Sequence, residues 1–347
     1  METKIWDLRF DENNITQFSG MEEIKSIFEN GGLIAIPTET VYGLGADARN
    51  DKAIKQIYEA KGRPSDNPLI VHIYDLKQLQ PFTNDITDEI KLLMNHFWPG
   101  PISFILPLKK GYLCESVSGG LTSIAVRMPS HPIGRQILQF VDMPIAAPSA
   151  NISGRPSPTT FEHVYSDLNG RINGIINGDQ SEEGLESTVL DCTQFPYRIA
   201  RPGSITKEML EAVLPGSISE VQALDTNKPI APGMKYKHYA PDTPLQIVED
   251  FNEKPIEKKD WSKTAFILPN DKRALVPEQS IFIKLCESDN DIKGANHNLY
   301  QILHQIDQDK DIKKAYIYGF KITDRTVAIM NRMMKAASRT IIKGEQL

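Results

Sequence analysis

Met21-Glu22-Glu23-Ile24-Lys25-Ser26-Ile27-Phe28-Glu29-Asn30-Gly31-Gly32-Leu33-Ile34-Ala35-Ile36 reads as a helix handed straight to a strand. Met21, Ile24 and Phe28 fall on one face at helical spacing, and Gly31-Gly32 supply the left-handed residue that ends such a helix. The apolar residues 33–36 are then predicted to be a strand. The same order recurs downstream: residues 53–60 carry helical spacing through Ile54, Ile57 and Tyr58, stop at Gly62, and give way to the apolar run 69–73. Further strands are expected at 102–106, 124–127, 144–147, 172–176 and 188–191, and helices at 87–97, 132–141 and 206–214. Strands this short and unevenly spaced point to an α/β fold, a twisted open mixed sheet with helices packed on it, rather than a regular βαβ array.

From 215 to 242 the periodicity disappears and Pro, Gly, Ser and Asn accumulate, as in a linker or a lid. Beyond it, strand patterns at 245–248, 264–268, 281–285 and 315–319 alternate with helical spacing at 299–306 and 326–337, which describes a smaller Rossmann-like α/β domain. The expected organisation is a catalytic domain over 1–214, an interdomain linker or lid over 215–242, and a C-terminal domain over 243–347. A chain of 347 residues suits two hydrophobic cores.

The formal net charge of −6 gives no global attraction to nucleic acid or to an anionic membrane. Any RNA contact would be weak and would come from a local basic patch. Cys114, Cys192 and Cys286 are odd in number and far apart, fitting neither a disulfide framework nor a zinc site. No apolar run is long enough to span a bilayer, and the first residues lack a secretory signal pattern, so a cytoplasmic protein without membrane contact is expected.

Two loops carry the chemistry: Pro37-Thr38-Glu39-Thr40-Val41-Tyr42-Gly43-Leu44-Gly45 and Lys61-Gly62-Arg63-Pro64-Ser65-Asp66-Asn67-Pro68-Leu69-Ile70-Val71-His72. Each joins an apolar run to hydroxyls, small residues or cations, a combination suited to a ligand with many oxygens. Lys61 and Arg63 close a predicted helix, where they either oppose its macrodipole or hold a polyanion. Pro64 and Pro68 fix the backbone around the Asn67 amide. His72 is either a satisfied strand-end histidine or a ligand group, and Arg201 is either an exposed strand-end charge or an anion contact. Gly43-Leu44-Gly45-Ala46-Asp47-Ala48 loosely matches a dinucleotide fingerprint without its strand–loop–helix context. Walker A, His-Glu-x-x-His and Gly-x-Ser-x-Gly patterns are missing, so ATP chemistry would need another phosphate cradle.

Lys61-Gly62-Arg63, the later Ser149-Ala150-Asn151, and Ala231-Pro232-Gly233-Met234-Lys235-Tyr236-Lys237-His238-Tyr239-Ala240-Pro241 resemble, in this order, the YrdC-like family in its long two-domain form, the threonylcarbamoyl-AMP synthases. The similarity runs over nearly the whole chain. It implies an enzyme that condenses L-threonine, bicarbonate and ATP to threonylcarbamoyl-adenylate and releases pyrophosphate, for modification of tRNA beside the anticodon. By resemblance, Lys61 and Arg63 are catalytic, and Arg63, Asn67, Ser123, Ser149, Ser157, Arg201 and His238 contact ATP. Thr40, His72, Arg127, the Ala147 backbone and Ser187 are assigned to L-threonine, and Asn151 to bracing its loop. The guanidinium of Arg127 suits bidentate capture of a carboxylate. ATP is a substrate, Mg2+ is expected with it, and no protein-held metal is implied. A downstream tRNA threonylcarbamoyl transferase complex would take the product. Two rivals are a non-catalytic RNA-binding module, disfavoured by the acidic charge, and carbamoyl transfer of the hydrogenase-maturation kind, whose paired zinc cysteines are missing.

Overall fold

The computed structural model describes residues 1–9, 14–84, 86–219, 238–251, 256 and 260–347. Most of the expected linker, 220–237, lies outside the described residues. The chain forms two units. The first holds 1–153, 157–182 and 186–236, and the second holds 154–156, 183–185 and 237–347.

In chain order the first unit contains β1 (Lys4–Asp7), α1 (Met21–Glu29), β2 (Ile34–Ile36), β3 (Gly43–Asp47), α2 (Asp51–Lys61), β4 (Ile70–His72), α3 (Asp88–Phe97), β5 (Ile102–Pro107) and β6 (Ser123–Arg127). These are followed by α4 (Pro132–Val141), β7 (Ile145–Ala146), α5 (Phe161–Leu168), β8 (Gly174–Asn177), β9 (Thr188–Asp191), β10 (Arg198–Arg201) and α6 (Lys207–Val213). The ten strands form one mixed sheet in the order β1-β8-β2-β3-β7-β4-β6-β5-β9-β10. Local chemistry sets the helix ends. The Asn50 side chain accepts from Ala53 N–H to start α2 and Gly62 stops it at φ 60°, while Thr87 caps α3 and Thr206 caps α6.

Three elements here have little sequence signal. β1 is an edge strand with only Trp6 buried. α5 starts at a Thr160 cap and buries the polar His163 and Asp167 beside Val164 and Leu168, which blurs its apolar face. The Gly43–Asp47 stretch is a fully buried strand, not a phosphate loop. Its composition is poor for β-structure, yet it pairs antiparallel with β2 on one side and β7 on the other. Gly43 belongs there because a Cβ would stand 3.0 Å from the Ala147 Cβ.

The second unit contains β11 (Leu245–Glu249), β12 (Thr264–Leu268), β13 (Ile281–Lys284), α7 (Ile292–Gln308), β14 (Lys314–Tyr318), α8 (Val327–Ala336) and β15 (Ile341–Lys343). Its five strands lie in the order β13-β12-β14-β11-β15, all parallel. The alternating pattern anticipates this parallel sheet, but not the placement of β14 between β12 and β11 or the short half-buried β15. Trp261, Phe266 and Tyr316 anchor one side of the core, with Phe266 and Tyr316 stacked at 5.4 Å.

Candidate active site

The mixed sheet aligns chemistry-bearing residues in one cross-strand row. His72 at the end of β4 is the register partner of Arg127 at the end of β6, and Arg127 is opposite Ser103 on β5. Ser103 is the partner of Val189 on β9, and Val189 that of Arg201 on β10. Residues in register share a face of the sheet, so a polar line crosses an otherwise apolar set of strands. His72, Ser103, Arg127 and Arg201 are all buried.

Arg127 is held from three directions. Its Nη1 donates to Thr40 Oγ1 at 2.7 Å, its Nη2 stands 2.6 Å from Glu39 Oε1, and its Nε reaches the Gly100 carbonyl at 3.4 Å. The loop after β2 presents Glu39 and Thr40 because it is cinched by Thr38, whose hydroxyl donates to the Val41 carbonyl at 2.6 Å, while Ser181 Oγ donates to the Thr38 carbonyl at 2.9 Å. His72 Nδ1 lies 3.2 Å from the Ile70 carbonyl, which also accepts from Ala147 N–H at 3.0 Å. Burial, with the Arg127 charge second, holds the His72 imidazole down to about 3 against the opposing carbonyl bond. It is therefore neutral near pH 7, with Nδ1–H donating and Nε2 left as an acceptor. Along the row, Ser187 Oγ is 2.8 Å from Ser103 Oγ and accepts from Arg201 Nη2 at 3.1 Å, and Arg201 Nε donates to the Ser187 carbonyl at 3.1 Å.

A second group sits where α2 ends. Lys61 is only 2 % exposed, and its Nζ donates to the Ser149 and Asn151 carbonyls at 2.5 and 2.6 Å. Ser153 N–H returns a bond to the Lys61 carbonyl at 2.8 Å. Lys61 thus ties the end of α2 to the loop after β7 instead of standing in solvent against the macrodipole. Burial, then the Arg63 charge, pushes the Lys61 amine well below its ordinary range, with Asp167 opposing. Asp167 also accepts from Ile152 N–H at 3.0 Å, so α5 braces the same loop. Arg63 Nη2 donates to the Pro68 carbonyl at 3.1 Å and curls the proline-bounded turn around Asn67. The buried Asn67 Oδ1 has no hydrogen-bond partner among the described residues, as expected of an amide kept for a ligand. Ser157 Oγ donates to Glu186 Oε1 at 2.5 Å.

The structure therefore joins Arg127 to Thr40 directly, His72 to Ala147 through the Ile70 carbonyl, and His72 to Arg127 by strand register, and Ser187 with Arg201 directly. Lys61, Ser149 and Asn151 form one cradle beside Arg63 and Asn67. Ser123 does not join the Arg127 cluster: it pairs with Pro107 at the other end of β6, about 13 Å along a five-residue strand. His238 belongs to the second unit, where it is buried with its ring 5.5 Å from that of Tyr239. Sequence reasoning passed over Glu39, Ser103, Asp167 and Glu186. Glu39 alone had a local signal, an acid flanked by two threonines in a loop already suspected. An open cavity of about 800 Å³ lined by Leu76, Thr83, Met94, Lys91 and Lys109, among others, shares no residue with these groups. Among the described residues no three His, Cys, Asp or Glu side chains gather as a metal cage, and no helix is long and apolar enough to cross a membrane.

Comparison with known proteins decides the family. Residues 26–203 match the Sua5, YciO and YrdC family model described as telomere recombination, and residues 205–338 match the model for the threonylcarbamoyl-AMP synthase C-terminal domain. The chain belongs to the threonylcarbamoyl-AMP synthase family. It is 42 % identical to the threonylcarbamoyl-AMP synthase of Bacillus subtilis, over 99 % of this chain and 100 % of that one. It is 40 % identical to the enzyme of the same name from Pyrococcus abyssi, over 90 % of this chain and 92 % of that one. The crystal structure of P. abyssi Sua5 complexed with L-threonine matches at a TM-score of 0.84 and 34 % identity, covering 99 % of both chains. The mixed-sheet α/β architecture with a second parallel sheet is thus the architecture of the family.

Proposed function

We propose that the chain condenses L-threonine, bicarbonate and ATP to threonylcarbamoyl-adenylate with release of pyrophosphate. The observation that carries this reading is the pairing of two chemically distinct groups in one unit. One is a buried guanidinium flanked by a hydroxyl and a neutral imidazole, suited to a hydroxy amino acid. The other is a cradle of Lys61, Arg63 and the unsatisfied Asn67 amide, suited to phosphate and ribose oxygens. In the reaction, the oxygen of the N-carboxylated threonine attacks the α-phosphorus while charge develops on pyrophosphate. Positioning and fixed cations are what such a step needs.

Lys61 and Arg63 act on the reacting phosphate, and Asn67, Ser149, Ser157 and Arg201 hold the nucleotide, with Ser123 and His238 as contacts proposed from the sequence motifs. Thr40, His72, Arg127, Ala147 and Ser187 hold threonine. Mg2+ enters as part of the nucleotide substrate. Residues 1–214 carry the reaction and 215–242 lead to the C-terminal domain 243–347. The product passes to a tRNA threonylcarbamoyl transferase complex in the cytoplasm, and direct RNA contact by this acidic chain is weak.

Incubation with ATP, L-threonine and bicarbonate tests the reading. AMP and pyrophosphate, released only when threonine and bicarbonate are both present, are expected. ADP as the main threonine-dependent product would refute it.

A further inference from the structure

Glu39 is a buried carboxylate whose ion pair with Arg127 leaves both of its oxygens without an aligned hydrogen bond among the described residues. It is 5 % exposed. Arg127 is its ion-pair partner, with Nη2 standing 2.6 Å from Oε1. A buried acid in that condition is costly unless a ligand supplies donors. The neighbouring groups limit what that ligand can be. Arg127, whose Nη1 donates to the Thr40 hydroxyl, is a donor and not an acceptor, and neutral His72 has no charge to answer Glu39. Among threonine's polar groups, the carboxylate is matched by the guanidinium, and the α-ammonium is the complement that Glu39 lacks.

We propose that Glu39 receives the α-ammonium of threonine and takes the proton it must lose to be carboxylated. This rests on the threonine-dependent function above. The balance is as follows. An ammonium nitrogen carries three protons and the carbamate nitrogen one. The N–C bond forms from the freed lone pair to the bicarbonate carbon, and a C–O bond breaks. One of the two lost protons leaves with the displaced hydroxide as water, and the other passes to the Glu39 carboxylate. Glu39 thereby couples amine recognition to amine activation while its contact with Arg127 fixes the angle between the amine and carboxylate sites. The acid at this position would explain selection of an amino acid over a hydroxy acid of the same shape.

The test compares binding of L-threonine with that of β-hydroxybutyrate, which is threonine without its amine, by titration calorimetry on the full chain and on Glu39→Gln and Glu39→Asp. Wild type should prefer threonine, and Glu39→Gln should lose that preference by about 10- to 100-fold, the range for a hydrogen bond to a charged group. Glu39→Asp, which keeps the charge, should retain most of it and shows that the site still folds. Because both ligands carry the carboxylate, altered freedom of Arg127 cancels in the ratio. An unchanged preference in Glu39→Gln would overturn the role of Glu39 while leaving the functional reading intact. Failure of wild type to bind threonine at all would overturn both.

Discussion

Each unit buries arginine, and Arg127 in the first and Arg332 in the second are buried for different ends. Arg127 lies in the mixed sheet among Glu39, Thr40 and Gly100, and among the described residues both Glu39 oxygens are left without an aligned hydrogen bond. Arg332, on α8 of the parallel-sheet unit, is fully buried with its guanidinium carbon 5.9 Å from the centre of the Tyr239 ring, and Tyr239 in turn lies 5.5 Å from Tyr300. The first is a charge in a polar row beside a carboxylate with open hydrogen-bonding capacity; the second lies over the Tyr239 ring and donates to Asn331 Oδ1 at 3.4 Å. The contrast teaches that burial alone does not mark a functional cation. What marks it is a neighbouring acceptor or donor that the protein leaves incomplete.

Substitution of Arg127 by alanine should break the comparison most visibly. It strands Glu39 as an uncompensated buried charge, and breaking such a pair costs about 3–5 kcal/mol. Denaturant unfolding should show that loss, and threonine-dependent pyrophosphate release should fall to background even where the variant remains folded. Unaltered threonine-dependent turnover in the folded variant would place Arg127 in the same class as Arg332.

Arg63→Ala follows, with a loss of about 2–4 kcal/mol in kcat/KM, the size associated with removing one preorganised charge-assisted donor. Sequence position alone argues for no effect on stability. The buried bond from Arg63 to the Pro68 carbonyl predicts instead a further loss of about 1 kcal/mol in unfolding free energy. Parallel steady-state kinetics and chemical denaturation separate the two.

His72 sharpens the comparison through pH. Its folded value of about 3 lies below the ordinary 6.5, so between these values the unfolded chain binds the extra proton. Stability is therefore flat above about pH 6.5 and falls as the pH drops through the window, by about 1.4 kcal/mol per pH unit where the imbalance is complete. His72→Gln should remove this component, so that thermal midpoints of the two proteins, measured between pH 7 and 4.5, converge toward the acidic end. Parallel curves would mean that His72 is not held neutral.

The smallest effect is expected at Arg332. Replacement by methionine keeps much of the volume and removes the charge from the Tyr239 face, for a change of about 1 kcal/mol in stability, with kcat and KM for ATP and threonine unaltered. A kinetic defect in a stably folded Arg332→Met would show that the second unit's buried arginine also serves the reaction.

Much of this was legible in the chain itself. Gly31 and Gly62 end α1 and α2 because a left-handed stop is a local property of glycine. The caps at Asn50, Thr87 and Thr206 are equally local. The motifs from Lys61 to Arg63 and from Ser149 to Asn151 announced one family, and the structure brings them into direct contact. What sequence could not supply was pairing across long separations. β3 is a strand only because β2 and β7 flank it, since its glycines have no such preference of their own. The row from His72 through Arg127 and Ser103 to Arg201 exists only because β4, β6, β5, β9 and β10 adopt one register. The partner of Glu39 lies 88 residues away, in Arg127. Turns, caps and helix stops are set by residues within reach of one another along the backbone, and these the sequence determined. Which polar groups are left unsatisfied in the interior depends on what the fold places around them, and only the tertiary structure decided that.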